Sequence, residues 1–228
     1  GYVDGPVVSN CHHMAAAVFS KALLKVNFTY ALGLSATVTR KDGLTKVFKW
    51  FLGDIVYKAK PKEADSVQVI MKYYYESDNK YNHIPFLYNG KPNYAKIINN
   101  VCEYIPRTMA IIDALDKILK KDKDREVIIL SDRRNHLQDI EKILNDKGYD
   151  SIGYYVGGMR EKDLKESETK RIILGTYNMV SEGFDLPKLN TLVLASPKSD
   201  VEQSIGRIQR QLKEDRQYIP IVLDIVDQ

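Results

Sequence analysis

From residue 127 to the end of the chain, short apolar runs rich in β-branched residues alternate with stretches of helical periodicity. Residues 127–130, 152–156, 171–174, 191–195 and 218–225 read as strands, and 135–147, 161–166 and 201–212 as helices. Strand–helix alternation of this kind implies a mostly parallel sheet covered on both faces, so the fold class is α/β with helices flanking a parallel sheet. In such sheets ligands sit beyond the carboxyl ends of the strands. Ser131-Asp132 and Gly175-Thr176 each follow a predicted strand there.

The upstream part has the same grammar on a smaller scale. Pro6-Val7-Val8 ends a short buried strand, 14–25 reads as a helix, and 30–34 is an apolar strand running into Ser35-Ala36-Thr37. An amphipathic helix over 41–51 stops near Gly53. Lys, Pro, Glu and Asp then crowd into 58–65, as in a connection between two units. The expected organisation is a first unit over 1–60, a linker over 61–72 and a second unit over 73–228, although 67–73 is itself strand-like. Within the second unit, 81–91 carries Pro, Asn and Gly and reads as a loop. A long helical stretch over 94–120 follows, with a break expected near Pro106.

Charge narrows the classes of partner. The net charge of +4 is too small by itself to argue for nucleic acid. Its distribution is uneven: residues 1–62 hold nine Lys and Arg against three acids, and the remainder 25 against 27. A basic section on a near-neutral body suits a polyanion, and equally a solvated surface. The only cysteines are Cys11 and Cys102, far apart, which suggests a reducing compartment rather than a disulfide framework. No apolar run is long enough to span a bilayer, so no membrane partner is expected.

Four segments fall in order on this background. They are Cys11-His12-His13, Leu34-Ser35-Ala36-Thr37, Gly175-Thr176 with Glu182-Gly183-Phe184-Asp185, and Gln203-Ser204-Ile205-Gly206-Arg207-Ile208-Gln209-Arg210. On a helix, the last would put Arg207 and Arg210 on one face, one turn apart. Two guanidinium groups aimed the same way suit a triphosphate whose charge must be neutralised as it is cleaved.

Taken together, these segments resemble the superfamily 2 helicases over nearly the whole chain. Arg40-Lys41-Asp42-Gly43, Lys91-Pro92-Asn93 and the wording around Gly183 are most similar to the transcription helicases of large DNA viruses, of the poxvirus and asfarvirus type. The resemblance implies a complete second RecA-like domain preceded by the C-terminal part of a first. It implies that Arg207 and Arg210 are arginine fingers reaching a γ-phosphate, with Gln203 helping to set them. Gly183 and Asp185 would contact the nucleotide. Ser35, Thr37 and His12 would couple the nucleotide site to the nucleic-acid track. Thr176 and Arg133 would hold the strand backbone, giving affinity and register without sequence preference. ATP and Mg²⁺ are the implied cofactors of the whole protein, and single- or double-stranded nucleic acid the implied partner. The implied location is cytoplasmic or nuclear, or a viral factory or virion for a viral source.

Two departures qualify this picture. Where the family's second motif reads Asp-Glu-Cys-His, this chain has Ser9-Asn10-Cys11-His12. The aspartate serves Mg²⁺ and the glutamate orients the attacking water; Ser and Asn carry neither charge. No Gly-x-x-x-x-Gly-Lys-Ser/Thr phosphate loop occurs in residues 1–228, and 153–158 does not supply one. With Gly1 rather than Met at its start, the chain reads as a C-terminal fragment lacking most of its first RecA-like domain. It is expected to be inactive by itself and to bind no nucleotide tightly. The alternative is a catalytically inert nucleic-acid-binding or interaction module that kept the helicase fold.

Single features have plainer readings beside the functional ones. Cys11-His12-His13 lacks a second Cys/His pair at zinc-finger spacing, so no metal site is expected. Tyr73, Tyr74, Tyr75, Tyr154 and Tyr155 are either half-buried packing or base-stacking groups. Arg133-Arg134 is either a phosphate contact or a solvated pair.

Overall fold

A computed structural model describes residues 7–9, 11, 21, 25, 29–35, 45–58, 66–181, 184–199, 201–211 and 213–228. The chain divides into two compact units, 1–62 and 63–228. The helix expected over 14–25 lies largely outside the described residues.

In the first unit, strands β1 (Val7–Ser9) and β2 (Leu32–Leu34) pair in parallel, Val7 opposite Leu32 and Ser9 opposite Leu34. Helix α1 (Thr45–Leu52) lies against β2. A Cβ built on Gly33 would sit 2.5 Å from Leu52 Cδ1 and 3.3 Å from Cys11 Cβ, so a larger residue there would make the Leu52 side chain shift. Cys11 is buried, and burial pushes its thiol pKa up.

The second unit is a six-stranded, all-parallel sheet. Its strands are β3 (Gln68–Tyr74), β4 (Val127–Leu130), β5 (Ile152–Tyr155), β6 (Ile172–Gly175), β7 (Thr191–Leu194) and β8 (Ile221–Asp227), in the spatial order β3-β8-β7-β4-β6-β5. Its helices are α2 (Asn79–Asn82), α3 (Tyr94–Glu103), α4 (Ile105–Lys121), α5 (Arg134–Asp146), α6 (Glu161–Ser167), α7 (Tyr177–Ser181) and α8 (Glu202–Arg207). All four residues of β4, of β6 and of β7 are buried. That is the two-sided burial their unbroken apolar runs demand. On one face Ile111, Ile112 and Leu115 of α4 and Leu137, Ile140 and Leu144 of α5 pack on Val127 and Ile129. On the other, Tyr177, Val180, Phe184 and Ile208 cover Ile128 and Leu130.

Two expectations shift, and the break expected near Pro106 is present. Residues 68–72, expected within a linker, are an edge strand in parallel register with 221–225, because Val69 and Ile70 find partners in Val222 and Leu223. The stretch 94–120 is two helices broken at Tyr104, since Pro106 has no N–H to donate and its ring clashes with a preceding carbonyl. The helix expected over 201–212 ends at Arg207, with the Ile208 N–H turning back to Ile205 O. Beyond it the chain is held open by Arg216, which donates to the carbonyls of Gln209 and Gln211, both at 2.8 Å.

Candidate functional site

Phe184 is the anchor. Its ring is fully buried and meets Tyr155, the last residue of β5, edge-on at 4.5 Å between centroids. With the ring fixed, the Phe184 carbonyl and the Asp185 carboxylate face outward. The Arg207 guanidinium donates to Phe184 O, and Arg210 Nη1 lies 3.0 Å from Asp185 Oδ2. Arg207 is half-buried and Arg210 exposed. Burial, and secondarily the positive charge of Arg210, lowers the Arg207 pKa, yet a guanidinium keeps its proton. The two arginines converge, but not by helical spacing: Arg210 has left the helix and reaches Asp185 from the turn after it. Gln203 lies on α8. Gly183 lies outside the described residues.

The carboxyl ends of β4, β6 and β7 form a second cluster. The Arg133 guanidinium donates to Asn99 Oδ1, to Ala95 O at 3.2 Å and to its neighbour's carbonyl, Asp132 O, at 3.2 Å, which fastens it to α3. Its backbone N–H donates to Ser131 Oγ at 3.2 Å. Behind it lies His136, whose Nδ1 is 3.0 Å from Ser131 Oγ and whose Nε2 is 3.1 Å from Thr108 Oγ1. The Thr108 hydroxyl donates to Tyr104 O, so it receives the His136 Nε2–H, and Nδ1 accepts from Ser131. Burial, reinforced by the nearby charge of Arg107, lowers the His136 pKa to about 4, so the ring is neutral at ordinary pH. Arg134 donates to Gly157 O after β5. Lys198 reaches Asp132 Oδ1 at 3.4 Å and lies over the Tyr177 ring at 5.1 Å. Thr176 follows β6, half-buried, with its N–H on Tyr155 O at 3.3 Å.

A half-buried ion pair underlies this edge of the sheet. Arg107 is fully buried, with Nε 2.5 Å and Nη2 3.0 Å from the Asp227 carboxylate and Nη1 on Ala195 O at 2.6 Å. Tyr81 also donates to Asp227. These hydrogen bonds offset the cost of burying the Arg107 charge, which a pair without them would not recover. Sequence reading overlooked Arg107, His136 and Lys198. Arg107 follows Pro106 in the first turn of an amphipathic helix, where its charge reads as one of several.

In the first unit Ser9 ends β1 opposite Leu34, one residue before Ser35, so the two serines follow one another at the carboxyl ends of adjacent parallel strands. Ser35 lines a cavity with Cys11, Leu34, Asp54 and Tyr57. Asn10, His12 and Thr37 lie outside the described residues. Neither Ser9 nor Asn10 carries a charge with which to hold Mg²⁺. Among the described residues no group of three or more His, Cys, Asp or Glu could hold a metal ion. No helix among them is long and apolar enough to cross a membrane. Of the candidate stacking tyrosines, Tyr155 packs on Phe184, Tyr154 donates to Glu141 Oε2 at 2.7 Å, and Tyr74 meets Tyr81 edge-on; Tyr73 and Tyr75 are exposed.

Comparison with known proteins places the chain among helicase-like sequences. The chain is 37% identical over 227 residues, 97% of its length, to "Putative ATP-dependent RNA helicase L396" of Acanthamoeba polyphaga mimivirus, of which it covers 43%. It is 23% identical over 243 aligned residues, again 97% of its length, to "Putative ATP-dependent RNA helicase QP509L" of African swine fever virus, covering 46% of that protein. The chain thus spans under half the length of these relatives. In fold it matches S. cerevisiae Dbp5 L327V bound to RNA and ADP BeF3, with a TM-score of 0.61 and 13% identity over 97% of this chain and 53% of that one. The helicase conserved C-terminal domain model matches residues 110–213, from within α4 past the arginine turn. Over residues 110–213 the chain thus carries a helicase conserved C-terminal domain.

Proposed function

We propose that residues 63–228 are the second motor domain of a superfamily 2, ATP-dependent helicase or translocase, and that the chain needs a phosphate loop from other residues to turn ATP over. The observation that carries this reading is the convergence of Arg207 and Arg210 on Phe184-Asp185. In this reading both guanidinium groups neutralise the charge of a triphosphate, with Gln203 setting their approach. Gly183 and Asp185 contact the nucleotide, and Asp185 holds Arg210 until a stronger anion takes it. Arg133 and Thr176 grip a strand phosphate at the carboxyl edge of the sheet, and His136 positions Arg133 through Ser131. Ser35, Thr37 and His12 link the two sites. ATP, when bound, supplies the free energy that shifts the grip along DNA or RNA.

Purified 1–228 is expected to show no ATP turnover. Joined to a domain bearing a phosphate loop, it is expected to gain turnover that Arg207→Ala lowers by about 10³-fold, the scale of a lost arginine finger. Turnover by 1–228 alone that survives Arg207→Ala overturns the reading. Ser9 and Asn10 favour a second reading, a binding module that kept the fold without its chemistry. In the joined protein, Ser9→Asp with Asn10→Glu separates the two: increased turnover supports the motor, and unchanged null turnover supports the module.

A further inference from the structure

We propose that the hairpin-like projection over residues 84–94 is a base-stacking element for single-stranded nucleic acid. This rests on the reading of the domain as a nucleic-acid motor. It names a contact outside the residues to which that reading gives a role.

Five large apolar side chains stand in solvent within eleven residues: Ile84, Phe86, Leu87, Tyr88 and Tyr94, with Tyr88 completely exposed and Tyr94 at 71%. Their exposure is not slack chain. Phe86 and Pro92 bridge antiparallel, Leu87 N donates to Lys91 O at 2.8 Å, and Asn93 N donates to Pro85 O at 2.7 Å. The tip closes with Gly90 N on Leu87 O at 2.9 Å and Gly90 at φ +76°, a conformation glycine adopts without strain. The base is equally fixed. Tyr81 is buried between the rings of Tyr74 and Tyr104, and Asn100 Nδ2 donates to Lys80 O and Tyr81 O at 2.7 and 2.9 Å. A rigid backbone thus holds aromatic rings in water, where nothing in the domain repays their exposure.

Charge selects the partner. Residues 79–102 contain Lys80, Lys91 and Lys96 and no Asp or Glu. All three lysines are exposed, and among the described residues no carboxylate pairs with them. Rings with interleaved lysines suit stacked bases flanked by phosphates, whereas an apolar protein partner would not call for an acid-free surface. Two other exposed aromatics of the second unit, Tyr73 and Tyr75, run directly into Glu76 and Asp78, which repel a phosphate backbone. The projection also leads straight into α3, whose Ala95 and Asn99 hold the Arg133 guanidinium. Stacking and backbone grip therefore share one rigid support.

The test is fluorescence anisotropy of the 228-residue chain with fluorescein-labelled 20-nucleotide oligo(dT) and oligo(U). Phe86→Ala with Tyr88→Ala is expected to weaken binding by at least about fivefold, the low end of one lost base stack. Tyr88→Phe, which keeps the ring, should leave it within about twofold. Lys91→Ala should reduce the log–log salt slope by about 0.7, the value for one phosphate on a single strand. In a Trp50→Phe background, Tyr88→Trp reports stacking directly, by quenching of its fluorescence when oligo(dT) is added. If Arg133→Ala weakens binding and the aromatic pair does not, the stacking proposal fails while the motor reading stands. If the wild-type chain binds neither oligonucleotide, both fail. Self-association in sedimentation that disappears with the aromatic pair identifies a protein contact and overturns the proposal.

Discussion

At the scale of single residues, the buried polar groups behind Arg133 make the sharpest claim. His136 is held neutral by burial and by Arg107, with a folded pKa of about 4 against about 6.5 in the unfolded chain. Between those values the unfolded state takes up a proton that the folded state refuses. Stability is therefore full above about pH 6.5 and falls as pH drops towards 4, by roughly 3 kcal/mol in all. Urea unfolding from pH 7 to 4 should show this slope, and His136→Gln should remove most of it. By contrast, the Arg210–Asp185 pair is largely exposed, with side-chain accessibilities of 41% and 55%, and contributes at most about 1 kcal/mol. A weak pair of this kind leaves Arg210 available to a more highly charged ligand. Neither fact could be read from sequence. His136 is one more polar residue in an amphipathic helix until α4 covers it, and nothing in the order of residues joins Arg210 to Asp185.

At the scale of elements, the alternation of apolar runs foretold the central strands well. β4, β6 and β7 are buried on both faces, so nearly every position must be apolar and the signal is strong. Elements at the margins were harder to read. β3 is an edge strand with Val69, Met71 and Tyr73 exposed, and half of its pattern has no core to answer to. Helix α8 was expected to be longer because its continuation is amphipathic, yet the Ile208 N–H turns back to Ile205 O and Arg216 fixes the turn beyond through the carbonyls of Gln209 and Gln211. Gly153 shows how tightly β5 and α6 meet: a Cβ there would lie 2.8 Å from Ser167 Cα and 2.9 Å from Ser167 O. Backbone cannot give way as a flexible side chain does. Gly153→Ala should therefore cost about 1–3 kcal/mol in chemical denaturation, with no loss of any polar contact.

At the scale of the whole molecule, the second unit contains both faces of its sheet, both apolar clusters and the Arg107–Asp227 pair. It holds every element needed to bury its own core. Residues 63–228 made alone should be folded and should unfold in one cooperative transition by circular dichroism. A gradual, non-cooperative loss of ellipticity would show that this core depends on the first unit. The stacking projection and the Arg133 grip both belong to this unit, so its single-strand binding should persist in the shortened chain.

Sequence by itself determined the parallel α/β architecture and the order of the motifs, because two-sided burial and tight turns restrict residue types locally. Tertiary structure decided which charges meet: Arg107 with Asp227 across 120 residues, His136 with Ser131 and Thr108, and Arg210 with Asp185. It also showed that the rings of 84–94 stand in water on a fixed support. Such pairings depend on where the sheet brings distant segments together, and helical or strand periodicity carries no record of that.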